Sequence, residues 1–206
     1  MRRSEGSMVN EAIFQGDGPC ARSSVAPWCR RVRDRVAPDR WRHIVRVADL
    51  AEAIARANGF REDEVRATAL AGILHDAARD LPDERLLELA PPRTDAERGH
   101  PMMLHGRAAR VLAEGWGVHD PRVLAAIEGH VAGVRPGDRV GMAVYVADVS
   151  EPGRGVNHDV RELAFRDLGA AYRKAVRSKV DYLRSCGKSV HPTTLEVHDS
   201  LAPDPS

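Results

Sequence analysis

Residues 69–80 read Ala-Leu-Ala-Gly-Ile-Leu-His-Asp-Ala-Ala-Arg-Asp, and this stretch decides the fold. Its apolar first half follows an acidic segment that starts near Glu62, a pattern typical of a helix with negative charge in its first turn. Only Gly72 interrupts the larger apolar side chains, and a glycine allows another backbone to approach closely at a cost of roughly 1 kcal/mol in helix stability. The sequence therefore predicts a buried helix that delivers His75 and Asp76 from its core end.

The chain on either side of this stretch also shows helical periodicity. Asp39 can cap a helix whose apolar positions recur at spacings of three and four, until Asn58 and Gly59 stop it. Residues 144–147 have a strand-like composition, but the absence of a partner strand elsewhere in the sequence favours a buried helix. Further helices are predicted at residues 83–89, 102–114, 121–130, 140–149, 160–185 and 194–200. The predicted fold class is all-α.

The composition is that of one globular domain with a sizeable core. The chain has 206 residues, of which 43% are hydrophobic and 30% are charged, and this balance is typical of folded proteins. A formal net charge of +1 argues for neither nucleic acid nor membrane as a partner. We expect a disordered N-terminal extension over residues 1–24, a helical domain over 25–201 and a frayed tail over 202–206.

The cysteines and the apolar stretches bear on the cellular compartment. Cys20, Cys29 and Cys186 have no metal-type spacing, and an odd count makes a poor disulfide framework. No apolar stretch is long enough for a signal peptide or a membrane span. The simplest expectation is a protein of the reducing cytoplasm.

Six side chains on predicted helices are suited to metal binding: His43, His75, Asp76, His105, His130 and Asp148. Asp148 follows residues 142–147, the most apolar stretch of the chain, where an unpaired carboxylate would cost several kcal/mol. A divalent cation would be a suitable partner for such a carboxylate. Imidazole and carboxylate ligands without thiolate favour iron, manganese, zinc or nickel over copper(I) and disfavour magnesium.

This set of ligands is large enough for two ions that share a carboxylate. Two ions roughly 3.5–4 Å apart would activate a bridging water and stabilise a phosphoryl displacement. Each residue also has a simpler explanation, because a single histidine on a helix is commonly packed or exposed and an aspartate near a helix end is commonly a cap. Spacing alone leaves the two interpretations evenly matched, and Gly72, one turn before His75, tips the balance slightly towards a site.

The order His … His-Asp … His … His … Asp on successive helices resembles the HD-domain superfamily of metal-dependent phosphohydrolases. A closer resemblance is to its YqeK-type branch, the symmetrical diadenosine tetraphosphate hydrolases. The resemblance covers about residues 38–200. The motifs that carry it are Arg40-Trp-Arg-His43, Ala71-Gly-Ile-Leu-His-Asp-Ala-Ala-Arg79-Asp80, Leu104-His-Gly106, Ile127-Glu-Gly-His-Val-Ala-Gly133, Val144-Tyr-Val-Ala-Asp148 with Glu151-Pro-Gly-Arg154, and Val190-His-Pro-Thr-Thr194.

This resemblance implies a helical bundle around a dinuclear centre, with two divalent ions, iron foremost, held by the six residues named above. It implies that Asp76 bridges the ions and that diadenosine tetraphosphate is cut symmetrically into two ADP, and our hypothesis is attack by a metal-bridging hydroxide. Arg79 and Arg154 are implied as phosphate-binding and catalytic residues, because a guanidinium binds phosphate in a bidentate manner. A surface salt bridge is the alternative for both arginines, and Glu151 is expected to pair with an arginine.

Two departures from the family pattern leave the substrate open. Val131 and Ala132 stand where the family usually has two threonines, and Met142 stands where a basic residue is common. The same fold could therefore act on a nucleoside monophosphate, a deoxynucleotide or a guanosine alarmone, or bind metal and nucleotide with little turnover. We expect a small nucleotide as the partner, and a homodimer is compatible with the sequence.

His100 competes with His105 as a ligand, although the Leu-His-Gly motif favours His105.

Overall fold

The computed structural model describes residues 25–201, which fold into eleven α-helices and two short 3-10 segments. The helices are α1 (Ala26–Arg33), α2 (Pro38–Ala57), α3 (Glu62–Leu74), α4 (Asp83–Leu89), α5 (Asp95–Gly99), α6 (His105–Gly115), α7 (Pro121–Gly129), α8 (Arg139–Ser150), α9 (His158–Ala164), α10 (Leu168–Ser185) and α11 (Pro192–Ser200). No strand occurs within this range, which confirms the all-α prediction. The predicted extension, residues 1–24, and the predicted tail, residues 202–206, lie outside the described residues.

The core is centred on α3, which packs against α2, α7 and α8. Ile73 and Leu74 at the end of α3 are fully buried. Gly72 lies directly against α2, where an added Cβ atom would lie 2.7 Å from the Cα atom of Ala48. The glycine therefore permits the close approach of two backbones that the sequence indicated, and this contact brings α2 near the C-terminal end of α3.

The apolar helix α8 forms a second buried element beside α3. It packs against α2, α3, α7 and α10, and its residues 144–147 have no exposed surface. This stretch is helical, as predicted, despite its strand-like composition. Because α2, α3 and α8 are in mutual contact, side chains at corresponding levels of the three helices can meet.

The segment over residues 160–185 was predicted as one helix but forms two, α9 and α10. Asp167 caps α10 by accepting a hydrogen bond from the backbone N–H of Ala170 at 2.9 Å. Asn58, at the end of α2, bridges the break, since its amide donates to the Ala164 carbonyl and accepts from the Leu168 N–H. Polar side chains thus compensate the backbone groups that the break exposes.

Other boundaries also differ from the prediction. Asp39 is not a cap, because α2 begins at Pro38 and Asp39 lies in its first turn. Helices α1 and α5, of eight and five residues, were not predicted. Both are too short to show a clear helical period in the sequence.

The described cysteines differ from the expectation drawn from their number. Cys29 on α1 is buried and disulfide-bonded, whereas Cys186 is free and exposed. An odd count therefore does not exclude a disulfide. Between residues 25 and 201, no helix combines the length and the apolar character needed to cross a bilayer.

Candidate metal centre

His75 and Asp76 lie at the point where α3 ends. His75 is the C-cap residue, and its backbone N–H donates to the carbonyl oxygen of Ala71 at 2.9 Å. The side chain of His75 is fully buried, and Asp76 is only 3% exposed. The helix thus places an imidazole and a carboxylate inside the core, where each needs a polar partner.

His105 and His130 also lie at helix ends. His105 is the first residue of α6 and directly follows a 3-10 segment, Pro101–Leu104, so the helix predicted from residue 102 starts three residues later. His130 is the C-cap residue of α7. Because α6, α7 and α3 pack against one another, the three helix ends converge.

Three of these imidazoles share one hydrogen-bond arrangement. Nδ1 of His75, His105 and His130 lies 2.8, 2.6 and 2.7 Å, respectively, from the backbone carbonyl oxygen three residues earlier in the chain. Since a carbonyl oxygen only accepts, the Nδ1 atom of each ring carries the proton and Nε2 presents a lone pair. A histidine that donates through one nitrogen in this way has its other nitrogen oriented for metal binding.

Asp76 lies between two pairs of histidines. Its Oδ2 atom is 3.7 Å from His43 Nε2 and 3.6 Å from His75 Nε2. Its Oδ1 atom is 3.4 Å from His105 Nε2 and 3.5 Å from His130 Nε2. The cluster therefore contains two groups of three potential ligands that share Asp76, each with its ligand atoms within 4.8 Å of one another.

Asp148 completes the side of the cluster that contains His43 and His75. His43 lies within α2, and its Nε2 atom is 3.1 Å from Asp148 Oδ1. The same Oδ1 atom is 3.9 Å from His75 Nε2. Asp148 comes from α8, directly after the fully buried residues 144–147. All six residues predicted as ligands thus meet at one place in the fold.

The arrangement of donor atoms fits a pair of divalent cations. The Nε2 atom of His75 is completely buried and has no hydrogen-bond partner among the described residues. The Nε2 atoms of His105 and His130 face each other at 3.0 Å, although the Nδ1 protons of both rings are directed to carbonyls. Two lone pairs at this distance repel unless a proton or a cation lies near both. A divalent ion between the imidazoles and Asp76 would compensate these lone pairs.

The electrostatics of the cluster favour the protonation states that metal binding requires. Burial lowers the pKa of His75 to about 4 and also lowers the pKa of His105, so both rings are neutral at neutral pH. Burial opposes ionisation of Asp76 and Asp148, but neighbouring histidines, and Arg154 in the case of Asp148, hold the pKa of both carboxyls well below its usual range. Neutral imidazoles and ionised carboxylates are the forms that bind metal.

Glu151 contacts His43 at Nδ1, the ring nitrogen opposite the one that faces Asp148. Glu151 is 1% exposed, and Oε1 lies 3.0 Å from His43 Nδ1. Arg46 binds the same carboxylate, with Nε 2.5 Å from Oε2 and Nη2 3.1 Å from Oε1. The predicted pairing of Glu151 with an arginine is confirmed, and the contact with His43 was not predicted. Burial alone would lower the pKa of His43, but its contacts with Asp148 and Glu151 raise it.

Arg40 is a further residue that sequence reasoning missed. Its Nη1 atom donates to Asp76 Oδ2 at 2.9 Å. The signal for this contact was present in the sequence, because Arg40 lies one turn before His43 on the same helix and therefore shares its face. A cation on Asp76 helps to keep this carboxylate ionised.

The two arginines predicted as phosphate contacts have different surroundings. Arg154 lies at the cluster, where its Nη2 atom is 2.5 Å from Asp148 Oδ1. Arg79 donates to the sulfur of Met102, and it forms no ion pair within residues 25–201. Neither arginine is fully buried. Within the described part of the chain, Arg79 thus has no acidic partner, whereas the charge of Arg154 is partly compensated by Asp148, a predicted ligand.

His100 lies outside the cluster. It is exposed and precedes the 3-10 segment, and it belongs to neither of the two groups of potential ligands. This geometry agrees with the preference for His105.

A cavity of about 1010 Å³ is lined by the segment that follows His130, and none of the six clustered side chains lines it. Val131 and Ala132, which directly follow His130, form part of its wall, and Met103 contributes from the segment before His105. The positions at which the sequence departs from the threonine pair therefore line a space large enough for a small molecule. Met142, the other departure, is buried in α8.

The family model for the HD domain matches residues 40–153. This range is more than half of the chain and contains all six clustered residues. A solved structure with a similar fold is that of a predicted HD superfamily hydrolase involved in NAD metabolism from Clostridium acetobutylicum. The two chains are 28% identical with a TM-score of 0.77, and the match covers 85% of this chain and 95% of the other.

Curated relatives carry names that refer to diadenosine tetraphosphate or to related compounds. The symmetrical bis(5'-nucleosyl)-tetraphosphatase of Staphylococcus aureus is 27% identical over 146 residues, which is 66% of this chain and 72% of that protein. Two proteins named probable nicotinate-nucleotide adenylyltransferase/Ap4A hydrolase, from Mycoplasma genitalium and Mycoplasma pneumoniae, are 30% and 29% identical over 56% and 73% of this chain. The chain spans only 33% and 44% of the length of these two relatives.

Proposed function

The chain belongs to the HD-domain family, and on this basis we propose that it is a phosphohydrolase that cleaves diadenosine tetraphosphate symmetrically into two ADP. The observation that carries the proposal is the position of Asp76 between two pairs of histidines. A carboxylate that faces two groups of nitrogen ligands through its two oxygens is suited to bridge two ions. Two ions are suited to a polyphosphate, because charge must be neutralised on both the attacked and the leaving phosphate.

The six clustered residues would hold the metals. His43, His75 and Asp148 would serve one ion, His105 and His130 the other, and Asp76 would be shared between them. When bound, two divalent ions would activate water for attack and neutralise negative charge on the phosphates. Four imidazoles without thiolate suit iron, manganese, zinc or nickel, and the family resemblance favours iron.

The remaining residues would position the ligands and the substrate. The backbone carbonyls behind three of the histidines fix Nε2 as the ligand atom, and Glu151 fixes His43. Arg79 would bind phosphate oxygens with its guanidinium charge, which no carboxylate among residues 25–201 compensates. Arg154 would bind phosphate if its pair with Asp148 rearranges when Asp148 serves as a ligand. The cavity lined by Val131 and Ala132 would accept part of the nucleotide.

Product analysis tests the proposal directly. The protein is purified without oxygen, its bound metals are measured, and diadenosine tetraphosphate is followed by chromatography. We expect ADP as the sole nucleotide product. The appearance of AMP together with ATP would contradict symmetric cleavage, and an intact substrate in the presence of two bound ions per chain would contradict the substrate assignment.

A second substrate class is favoured by the wall of the cavity. Val131 and Ala132 carry no hydroxyl groups, so this wall cannot donate the hydrogen bonds that a threonine pair would offer to phosphate. A nucleoside monophosphate, a deoxynucleotide or a guanosine alarmone is therefore the alternative substrate. A panel of these compounds at equal concentration, compared by kcat/KM with diadenosine tetraphosphate, distinguishes the two proposals. The higher kcat/KM identifies the substrate class.

A further inference from the structure

Lys179 on α10 holds its ammonium group beside the metal cluster. The residue is half-buried, and its Nζ atom donates a hydrogen bond to the backbone carbonyl of Val131, the residue after His130. The same Nζ atom lies 5.5 Å from the centroid of the Tyr145 ring, one turn before Asp148 on α8. The ammonium therefore lies between the segments that carry two of the proposed ligands.

Burying the Lys179 ammonium costs free energy, and a purely structural role would not require a charged group at this position. A buried ammonium loses hydration, and burial lowers its pKa, although the negative charge of Asp148 opposes this. Within residues 25–201, no carboxylate forms an ion pair with Lys179. The backbone carbonyl of Val131 satisfies one of its three N–H groups, which leaves two donors for another acceptor.

Lys174, five residues earlier on the same helix, provides the comparison. Its side chain is 46% exposed and its Nζ atom lies 2.5 Å from Asp159 Oδ2, so it is an ordinary surface ion pair. Lys179 lacks both features. The charge of Lys179 is directed inwards, to the side of the cluster where Arg154 is the other cation.

The two segments that contact the Lys179 ammonium supply no cation of their own. Residues 140–147 of α8 carry no charged side chain, and Val131 and Ala132 are apolar. A phosphate chain that extends from the cluster past Val131 would meet the Lys179 ammonium as a positively charged donor, in addition to Arg154 at the cluster. An ammonium on a flexible stem is suited to such a contact, since it binds phosphate as a compact point charge.

We propose that Lys179 is a substrate-binding residue whose ammonium contacts the non-bridging oxygens of the nucleotide's phosphate chain on the side of the cluster formed by Val131 and Tyr145. The inference rests on the proposed function in requiring a phosphorylated nucleotide as the ligand. It does not depend on which phosphate bond is cut.

Binding of ADP tests this assignment without reference to turnover. Calorimetric titration with ADP is performed on the wild-type protein and on Lys179→Met, which keeps a stem of similar length over the Tyr145 ring, and on Lys179→Arg, which keeps the charge. Lys174→Met is the matched control on the same helix. Metal content and thermal unfolding are measured for each variant, and Lys179→Gln replaces Lys179→Met if the latter fails to fold.

We expect Lys179→Met to bind ADP at least about tenfold more weakly than the wild type, because a hydrogen bond to a charged group is lost. Metal content should be unchanged, the loss should shrink at high salt, and Lys179→Arg should recover part of the affinity. In turnover of whichever nucleotide is cleaved, KM should rise more than kcat falls.

Two results would overturn the assignment. Equal ADP affinity in wild type and Lys179→Met, or an equal loss in Lys174→Met, would show that Lys179 does not contact phosphate. This would leave the proposed function intact if the wild type still cleaves diadenosine tetraphosphate. A wild-type protein that binds no ADP would overturn both proposals, whereas tight ADP binding without cleavage would overturn only the proposed function.

Discussion

Glu151 Oε1 lies 3.0 Å from His43 Nδ1, and Arg46 binds the same carboxylate from its other side. His43 is the only one of the four clustered histidines whose Nδ1 faces a side chain instead of a backbone carbonyl. The orientation of the His43 ring therefore depends on a single side chain, Glu151, which a substitution can remove. A carboxylate behind a ligating histidine both fixes the ring and makes it a better ligand.

Replacing Glu151 should weaken metal binding without removing a ligand. We expect Glu151→Ala to lower metal affinity about 10- to 100-fold, since His43 loses its orienting partner. Competition with a chelator measures the affinity. Glu114→Ala is the matched control, because Glu114 is an exposed partner of another arginine, Arg110. Equal affinities in the two variants would show that Glu151 does not orient His43.

The buried Glu151 carboxylate should also make stability depend on pH. Burial opposes its ionisation, but the contacts with His43 and Arg46 lower its pKa to about 2 from the ordinary 4.5. The unfolded chain therefore takes up this proton more readily, so the stabilisation is fully present above pH 4.5 and is lost as the pH falls towards 2. In the metal-free protein, the difference in unfolding free energy between wild type and Glu151→Gln should be largest at about pH 5, where Glu151 is ionised and His43, whose pKa Glu151 raises, is protonated.

Denaturant unfolding of both proteins at several pH values checks this dependence. The difference should diminish steadily when the pH is lowered below 4.5. A difference that grows as the pH falls below 4.5 would have the wrong sign for a carboxylate with a lowered pKa.

His105 and His100 provide a test of the ligand assignment within one short segment. We expect His105→Ala to lose metal, because His105 Nε2 faces both Asp76 and His130. His100→Ala should keep its metal, since His100 is exposed and outside the cluster. Elemental analysis of the two purified variants measures the metal content. Loss of metal in His100→Ala alone would reverse the assignment.

Gly72 should be intolerant of even one methyl group. A Cβ atom at this position would lie 2.7 Å from the Cα of Ala48, and a backbone atom cannot move aside like a flexible side chain. We expect Gly72→Ala to destabilise the protein by about 1–3 kcal/mol in urea unfolding. Gly115→Ala is the control, because nothing lies within 4 Å of a Cβ atom there. It should be neutral or slightly stabilising, and an equal loss in both variants would mean that the α2–α3 contact is not the cause.

The sequence predicted the core of the fold because its long helices carry clear apolar periods. The helix through Ile73, the buried helix over residues 144–147 and the close approach at Gly72 are confirmed. The break between α9 and α10 was not predictable from periodicity, since it depends on Asn58, which lies more than a hundred residues away in sequence. Short helices such as α5 gave no periodic signal.

The site could be predicted as a set of residues but not as a geometry. The sequence named all six clustered side chains, and the structure brings them together. It did not reveal that the carbonyls behind three histidines fix their protons, because backbone hydrogen bonds leave no trace in residue type. The contacts of Arg40 with Asp76 and of Lys179 with Val131 also join distant segments, and their roles appear only when the helices are packed.

The most direct test of the central claim is the metal content of the wild-type protein and of Asp76→Ala, measured by elemental analysis after anaerobic purification. If Asp76 is shared by two ions, the wild type should contain two metal ions per chain and Asp76→Ala should lose both, together with hydrolysis of diadenosine tetraphosphate. A variant that retains two ions and full activity would contradict the account. So would a wild-type protein that binds a single ion and is fully active.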